Sequence, residues 1–235
     1  GWHACYIFLL LLGGSVLFSM YHWMPETRPV QAERRSMLSS FYLLLSNSTF
    51  SAFLIMLICA LSGIAVFEAS SGVLMGGVLG LNSITISILF ILPIPAAFFG
   101  AWYAGREGKT FVQLMWHSVF CCVAAGILMW LPGWLNIINI WTLLVPAALF
   151  FFGAGMLFPL ATTGAMEPFP YLAGAAGALV GGLQNVGSGI ATWFSALLPQ
   201  HNQFSLGMIM FIMSVAIMLC WIPLSHRFSH QQNTV

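Results

Sequence analysis

The chain has 235 residues, 60% of them hydrophobic and 5% charged, and a formal net charge of +1; its mean hydropathy is +0.96. A soluble domain carries about 25% charged residues, so this composition excludes a soluble enzyme, a disordered tail and a partner of nucleic acid. It leaves an all-α polytopic membrane protein whose first partner is the lipid bilayer.

The first apolar stretch, 2–23, has no basic region before it and is too long for a signal-peptide core. Residue 1 is Gly, so the stretch is expected to be a membrane span whose preceding sequence lies outside this chain, and the chain to be a fragment. A polar linker with two prolines follows at 24–36. Residues 37–46 predict an amphipathic helix at the membrane interface. A spanning helix needs about 20 apolar residues. Long charge-free runs follow at 36–67, 69–105, 110–166 and 168–226, with turn signals at Leu79-Gly80-Leu81-Asn82, Leu131-Pro132-Gly133 and Pro199-Gln200-His201-Asn202. They predict spans near 49–74, 83–104, 111–131, 138–162, 172–198 and 204–224, making seven with the first. The expected organisation is a single helix at 1–23, a loop with an interfacial helix at 24–46, a helical bundle at 47–226 and a tail at 227–235.

The basic residues are Arg28, Arg34, Arg35, Arg106, Lys109 and Arg227. They follow the first, third and seventh expected spans and so share one side. The positive-inside rule makes that side cytoplasmic, with the C-terminus on it. Cys5, Cys59, Cys121, Cys122 and Cys220 sit in apolar runs without metal-ligand spacing. They are read as small buried hydrophobes, and no metal site is expected.

An ionisable group inside a span is costly and marks function. Glu68 is the clear candidate, toward the outer end of the second span, where burial disfavours its charged form and a proton or cation can compete for it. The bland alternative is a carboxylate at the outer water interface. Glu167, between Met166 and Pro168, lies in a turn, as a gate or as a solvated loop acid. Gln184 and Asn185 can bind a substrate or a neighbouring helix. The glycines around them, with Gly177 and Gly181 at Gly-x-x-x-Gly spacing, permit close helix approach or a sliding gate. Pro93, Pro95, Pro146 and Pro159 interrupt their spans and free backbone carbonyls, a feature of transport paths.

The segment Ala101-Trp102-Tyr103-Ala104-Gly105-Arg106-Glu107-Gly108-Lys109 resembles the loop motif Gly-x-Leu-Ala-Asp-Arg-x-Gly-Arg of the major facilitator superfamily. Ala104, Arg106, Gly108 and the basic Lys109 match; Ala101 replaces the first Gly and Gly105 the Asp. The stretches 90–100, 141–159, 164–170 and 175–185 are similar to the multidrug efflux transporters of that superfamily, and the resemblance runs through essentially the whole chain. It implies helices six to twelve of a twelve-helix transporter, with 24–36 as the central loop between its halves. It further implies a proton-driven antiporter of the bacterial inner membrane that expels small amphipathic or hydrophobic toxic compounds. Protons and the missing N-terminal half would be its partners, a monomer its full-length state, and the proton gradient its energy source without a cofactor. The superfamily's arrangement puts the second, third, fifth and sixth spans around the cavity. Ile58, Phe90, Ile94, Trp141 and Phe152 are then expected to line it with Gln184 and Asn185, while Arg106, Gly108, Lys109 and Glu167 serve loop and gating roles. The antiporter motif of that group lies outside this chain, so antiport rests on the overall similarity.

Other readings were weighed on the residues. A sugar or metabolite exporter on the same fold would want more converging polar groups. A seven-helix receptor finds no Asp-Arg-Tyr or Asn-Pro-x-x-Tyr signature, and the single lysine, Lys109, lies in a loop. A membrane scaffold would leave Glu68 and the broken helices unexplained. An intramembrane protease would need Gly-x-Ser-Gly or His-Glu-x-x-His, and the chain has neither; no enzyme is expected.

Overall fold

A computed structural model describes residues 2–24, 36–106 and 108–232. The linker arginines Arg28, Arg34 and Arg35 and the acids Glu26, Glu33 and Glu107 lie outside the described residues. The chain divides into two units at residues 35 and 36. The first contains α1 (Trp2–Trp23), 22 residues long, or about 33 Å at the helical rise. That matches a hydrocarbon core of about 30 Å. Ser15 and Ser19 turn their hydroxyls onto the carbonyls of Leu12 and Ser15 at 2.7 and 2.9 Å, which satisfies two polar groups on an otherwise apolar surface.

In the second unit, capping side chains set most helix starts, each worth about 1 kcal/mol. Ser36 caps α2 (Met37–Ser46) and Asn47 caps α3 (Ser48–Val73), which continues into a π-helical turn at Leu74–Val78. Asn82 caps α4 (Ser83–Ile91). The helix breaks at Pro93, which lacks an N–H, and resumes as α5 (Ile94–Ala104). Reciprocal capping boxes of Thr110 with Gln113 and Asn139 with Thr142 open α6 (Phe111–Trp134) and α7 (Ile140–Met166). A 3-10 turn at Pro170–Leu172 leads into α8 (Ala173–Leu197), and α9 (Phe204–Gln232) follows.

The described residues contain no strand, and the chain is an all-α polytopic membrane protein. Among the described residues, six of the seven expected spans coincide with helical segments that are long and apolar enough to cross a membrane. The exception is α8: its 25 residues suffice in length, but its glycines with Gln184 and Asn185 dilute its hydropathy. The expected tail at 227–235 begins as helix, because α9 runs on through Arg227 to Gln232.

The helix α7 sits between α5, α6 and α3. Two residues along a helix turn about 200°, so Gly153 and Gly155 face different neighbours. A Cβ on Gly153 would lie 2.8 Å from Cys122 Sγ on α6 and 3.0 Å from the Ser118 carbonyl oxygen. A Cβ on Gly155 would collide with the Ala97 backbone on α5, and one on Gly100 would strike the Phe152 carbonyl in return. Ser118 uses the closeness to donate its hydroxyl to the Gly153 carbonyl at 2.8 Å. The α6–α9 seam is built likewise, with Gly126, Gly133 and Gly207 against the partner backbone and Ser214 donating to the Cys122 carbonyl at 2.8 Å.

The contacts fix chain direction. Phe53 lies near Gly164 and Phe67 near Phe151, so α3 and α7 are antiparallel. Ile58 meets Gly187, and Ser70 bonds Ser195 at 2.9 Å, so α3 and α8 run parallel. Alternation along the chain thus collects the start of α3, the α5–α6 loop and the region of Arg227 at one end. There Arg227 Nη1 donates to Ser48 Oγ at 3.1 Å.

At the opposite end Gln203, fully buried, joins three helices. Its amide nitrogen donates to the Met129 carbonyl at 3.0 Å and the Thr142 carbonyl at 3.4 Å, and its oxygen accepts from Thr142 Oγ1 at 2.8 Å. Pro146 has no N–H for the carbonyl four residues before it, which is that of Thr142. The Gln203 amide covers the acceptor that the proline leaves open. Replacing Gln203 by Leu is expected to lower stability by about 2–3 kcal/mol, the sum of several interhelical bonds. The melting temperature of the purified full-length protein measures this. An unchanged melt would show that the amide contributes nothing net.

Candidate functional site

The candidate residues are spread along several helices of the second unit. Ile58 presses on Gly187 of α8, with Gln184 about one turn before Gly187. Asn185 is exposed, and its amide donates to the Gly181 carbonyl of its own helix at 2.8 Å. That bond lies within its own helix rather than with a neighbouring one. Phe152 is half-buried against Tyr103 of α5, ring centroids 6.0 Å apart, and the adjacent Phe151 meets Phe67, the neighbour of Glu68, at 5.9 Å. Glu68 lies about 15 Å further along α3 than Ile58 at 1.5 Å per residue. Its side chain is exposed. Gly72, one turn on and on the same strip, faces the ring of Phe90, which would stand 3.6 Å from a Cβ there. The structure thus brings Glu68 and Phe90 to one strip. Ile94, in the first turn of α5, is exposed, as is Trp141 at the start of α7. These contacts do not gather the set at one place. A cleft of about 330 Å³ at the α8–α9 turn, bordered by His201 and Asn202, includes none of these residues.

The glycines of α8 divide by direction. Gly187 is filled by Ile58, whereas Gly174, Gly181, Gly182 and Gly189 have nothing within 4 Å of a Cβ, and Gly177 has only Met166 Cε at 3.8 Å. Among the described residues no helix makes the close approach that Gly177 and Gly181 permit, because these positions point away from α3. Along α8, Ala176, Leu179, Val180, Ser188, Ala191 and Ser195 are buried, while Ala178, Gly181, Gly182, Asn185 and Gly189 are exposed. The exposed positions of α8 offer backbone, small side chains and Asn185, together with the larger Val186, Ile190, Trp193 and Phe194. Such a surface can close against a second helix or against an apolar molecule.

At the end that holds Arg227 and the α5–α6 loop, Arg106 lies 4.3 Å over the Trp102 ring. Lys109 lies 4.6 Å over the Tyr103 ring and donates to its hydroxyl. Gly108 has φ +95°, a value that favours glycine. Glu167 caps the C-terminus of α7, its N–H bonded to the Thr163 carbonyl, and is exposed. His117 meets Tyr103 edge-on at 6.1 Å. The structure adds residues to which sequence reasoning assigned no role: Gln203, the Ser70–Ser195 pair and Tyr103. Gln203 had a faint signal, a polar residue beside a turn in an otherwise apolar run; the serines had none.

Comparison with known proteins agrees with this helical, polar-poor face. Residue for residue, the chain matches a relative throughout: 66% identity over 234 residues, covering 100% of this chain and 59% of the relative. The chain is similar to Multidrug resistance protein D of Escherichia coli strain K12. The solved structure of the multidrug transporter EmrD from Escherichia coli is 67% identical, covering 94% of this chain and 59% of that one, with a TM-score of 0.26; the likeness is carried by sequence alone. No family model matches the chain. The chain therefore spans about three fifths of the relative's length.

Proposed function

We propose that this chain forms the C-terminal part of a major facilitator transporter that exchanges amphipathic or hydrophobic toxic compounds for protons across the bacterial inner membrane. The observation that carries the reading is the 66% identity, across the whole chain, to a protein named for multidrug resistance. The open α3–α8 face supports it: apolar and small side chains hold varied apolar molecules by dispersion and stacking, and Glu68 supplies an exchangeable proton. In this reading α1 ends the N-terminal half, residues 24–46 connect the halves, and the rest is the C-terminal bundle. Arg106, Gly108, Lys109 and Glu167 act at the cytoplasmic gate, where the C-terminus also lies. Ile58, Phe90, Ile94, Trp141, Phe152, Gln184 and Asn185 contact the compound at successive depths. The full-length protein works as a monomer, needs no cofactor beyond the proton gradient and performs no enzymatic reaction.

The test uses inverted membrane vesicles and a fluorescent amphipathic dye. Vesicles with a protein of the relative's full length that carries this chain are expected to accumulate dye only when a pH gradient is imposed. Vesicles with this chain alone are expected to accumulate none, because its cavity face has no opposing half. Failure of the full-length protein to move any of a broad dye panel would overturn the multidrug reading and favour a narrow-substrate transporter.

A further inference from the structure

The span at 83–104 consists of two helices held very differently. Its second half, α5, is locked to α7 where Gly155 meets the Ala97 backbone and Gly100 meets the Phe152 carbonyl. Its first half, α4, has no buried residue, and Ile84, Ile88 and Ile91 are 75%, 58% and 61% exposed. It rests on the π-helical turn of α3 and on α5. Between the halves Pro93 is buried. Pro93 and Pro95 have no N–H, so the carbonyls of Leu89 and Ile91 lose their helical donors. The bonds around the break span three residues, Leu92 N–H to the Leu89 carbonyl at 3.3 Å and Ala96 N–H to the Pro93 carbonyl at 3.1 Å. Before α4 the chain turns at Gly80, φ +65°, a conformation that glycine adopts without strain. A short helix with a buried pivot at one end and a glycine turn at the other can move as a lever.

Two side chains seat α4 on α3. The Phe90 ring faces Gly72 and Ile86 Cδ1 faces Gly76, at 3.6 and 3.4 Å from where a Cβ would stand. These glycines lie about one and two turns beyond Glu68. Gly76 belongs to the π-helical turn Leu74–Val78, a feature that recurs at functional sites. At this level α3 is held by Phe67 on Phe151 at 5.9 Å and by the Ser70–Ser195 bond to α8 at 2.9 Å. The seat is therefore fixed to the bundle, and the lever is not.

We propose that α4 swings about Pro93 as a flap, and that Phe90 and Ile86, seated at Gly72 and Gly76, close the approach to Glu68 from the far end of α3. Proton exchange at Glu68, and the outer position of that end, rest on the function proposed above; the swing of α4 rests on the contacts alone.

The test uses the full-length protein that carries this chain, in lipid vesicles, with its native cysteines replaced by alanine. Spin labels at Ile84→Cys and Ile212→Cys report α4 against α9, and labels at Phe98→Cys and Ile212→Cys report α5 against α9. Ile84 is nine residues from Pro93, a lever of about 13 Å, so a change in kink of about 20–30° moves it by about 5–7 Å. The Ile84 pair is expected to show a main distance and a minor one. Gly72→Leu fills the seat of Phe90 and is expected to make the minor distance the main one; adding Phe90→Ala makes room for the leucine and is expected to restore the original. The Phe98 pair is expected to keep one distance throughout. In intact cells, a membrane-impermeant maleimide is expected to label Glu68→Cys about five- to tenfold faster when Gly72→Leu is present, as an open state of about 10% becomes the major one. One unchanged distance for the Ile84 pair in every variant would overturn the proposal. Equal movement of both pairs would assign the motion to the bundle and overturn it too, as would labelling of position 68 that ignores Gly72→Leu. Dye uptake is read separately with Glu68 intact. Its failure while the distances behave as expected would remove the transport reading and leave the flap; its success with a single Ile84 distance would do the reverse.

Discussion

Gly155→Val is expected to separate α5 from α7 and to destabilise the bundle by about 3 kcal/mol or more, at the upper end of overpacking costs. In a protein of this size class that corresponds to a melting temperature lower by about 6–12 °C. The cause is geometric. A Cβ on Gly155 would fall on the backbone of Ala97, with the Ala97 carbonyl carbon and Cα both at 2.8 Å. Backbone cannot rotate aside as a side-chain tip can. Gly100 makes the reciprocal approach, 3.0 Å to the Phe152 carbonyl carbon and 3.1 Å to the Met156 nitrogen, so the whole crossing rests on contact between two bare backbones. In a membrane, where lipid chains are as apolar as leucine, such contact is much of what holds helices together. Gly181→Ala is the control. Its Cβ would meet nothing within 4 Å, and replacing a helical glycine by alanine gains up to about 1 kcal/mol. Thermal melts of the two purified variants should diverge in opposite directions; similar melts would remove the backbone contact as an explanation of the α5–α7 packing.

Glu68→Gln is expected to reduce pH-gradient-driven dye uptake at least about tenfold, the scale on which losing one essential proton carrier acts. Glutamine keeps the size and hydrogen-bonding capacity of the side chain and removes the exchangeable proton. Glu68 is the acid that the sequence places within a membrane-spanning segment, and no Lys or Arg lies in the charge-free runs on either side to hold it ionised. Its exposure on α3 leaves it open to the cavity that a second half would enclose, and Phe90 and Gly72 share its strip. Downhill dye exchange without a gradient should survive in the variant, because the apolar face is untouched. Uptake equal to that of the unmodified protein would return Glu68 to the status of an interfacial carboxylate and move coupling elsewhere in the full-length protein.

The second of these expectations was already visible in the amino-acid string, and the first was not. Glu68 stands out because a charge within an apolar run is costly wherever the run folds. Gly155 is one of 23 glycines, and nothing local separates it from Gly181. Both lie on helices among other small residues. One meets a neighbouring backbone and the other faces open space, because α7 is surrounded by three helices whereas α8 is flanked on one side by α3. Gln203 illustrates the same limit. Its value comes from Thr142, 61 residues away, and Met129, 74 residues away, together with a proline that frees a carbonyl. The Gly177–Gly181 spacing has the same limit: spacing tells which residues share a helix face, not whether another helix comes to it.

Composition and the order of apolar runs by themselves determined the all-α polytopic class, most helix limits to within a few residues, the prolines that interrupt helices and the position of the intramembrane acid. Each depends on one segment against its solvent, since a backbone in lipid must bond within its own helix and a charge there is penalised whatever surrounds it. The charge-free run marked α8 as well, although its glycines and amides dilute the hydropathy that its length supplies. Tertiary structure alone decided which face of each helix is covered, which glycines are filled and how Gln203 ties three helices at one end. Those are properties of pairs of segments distant in sequence. The bilayer, equally apolar on every side of a helix, gives the sequence little reason to mark them in advance.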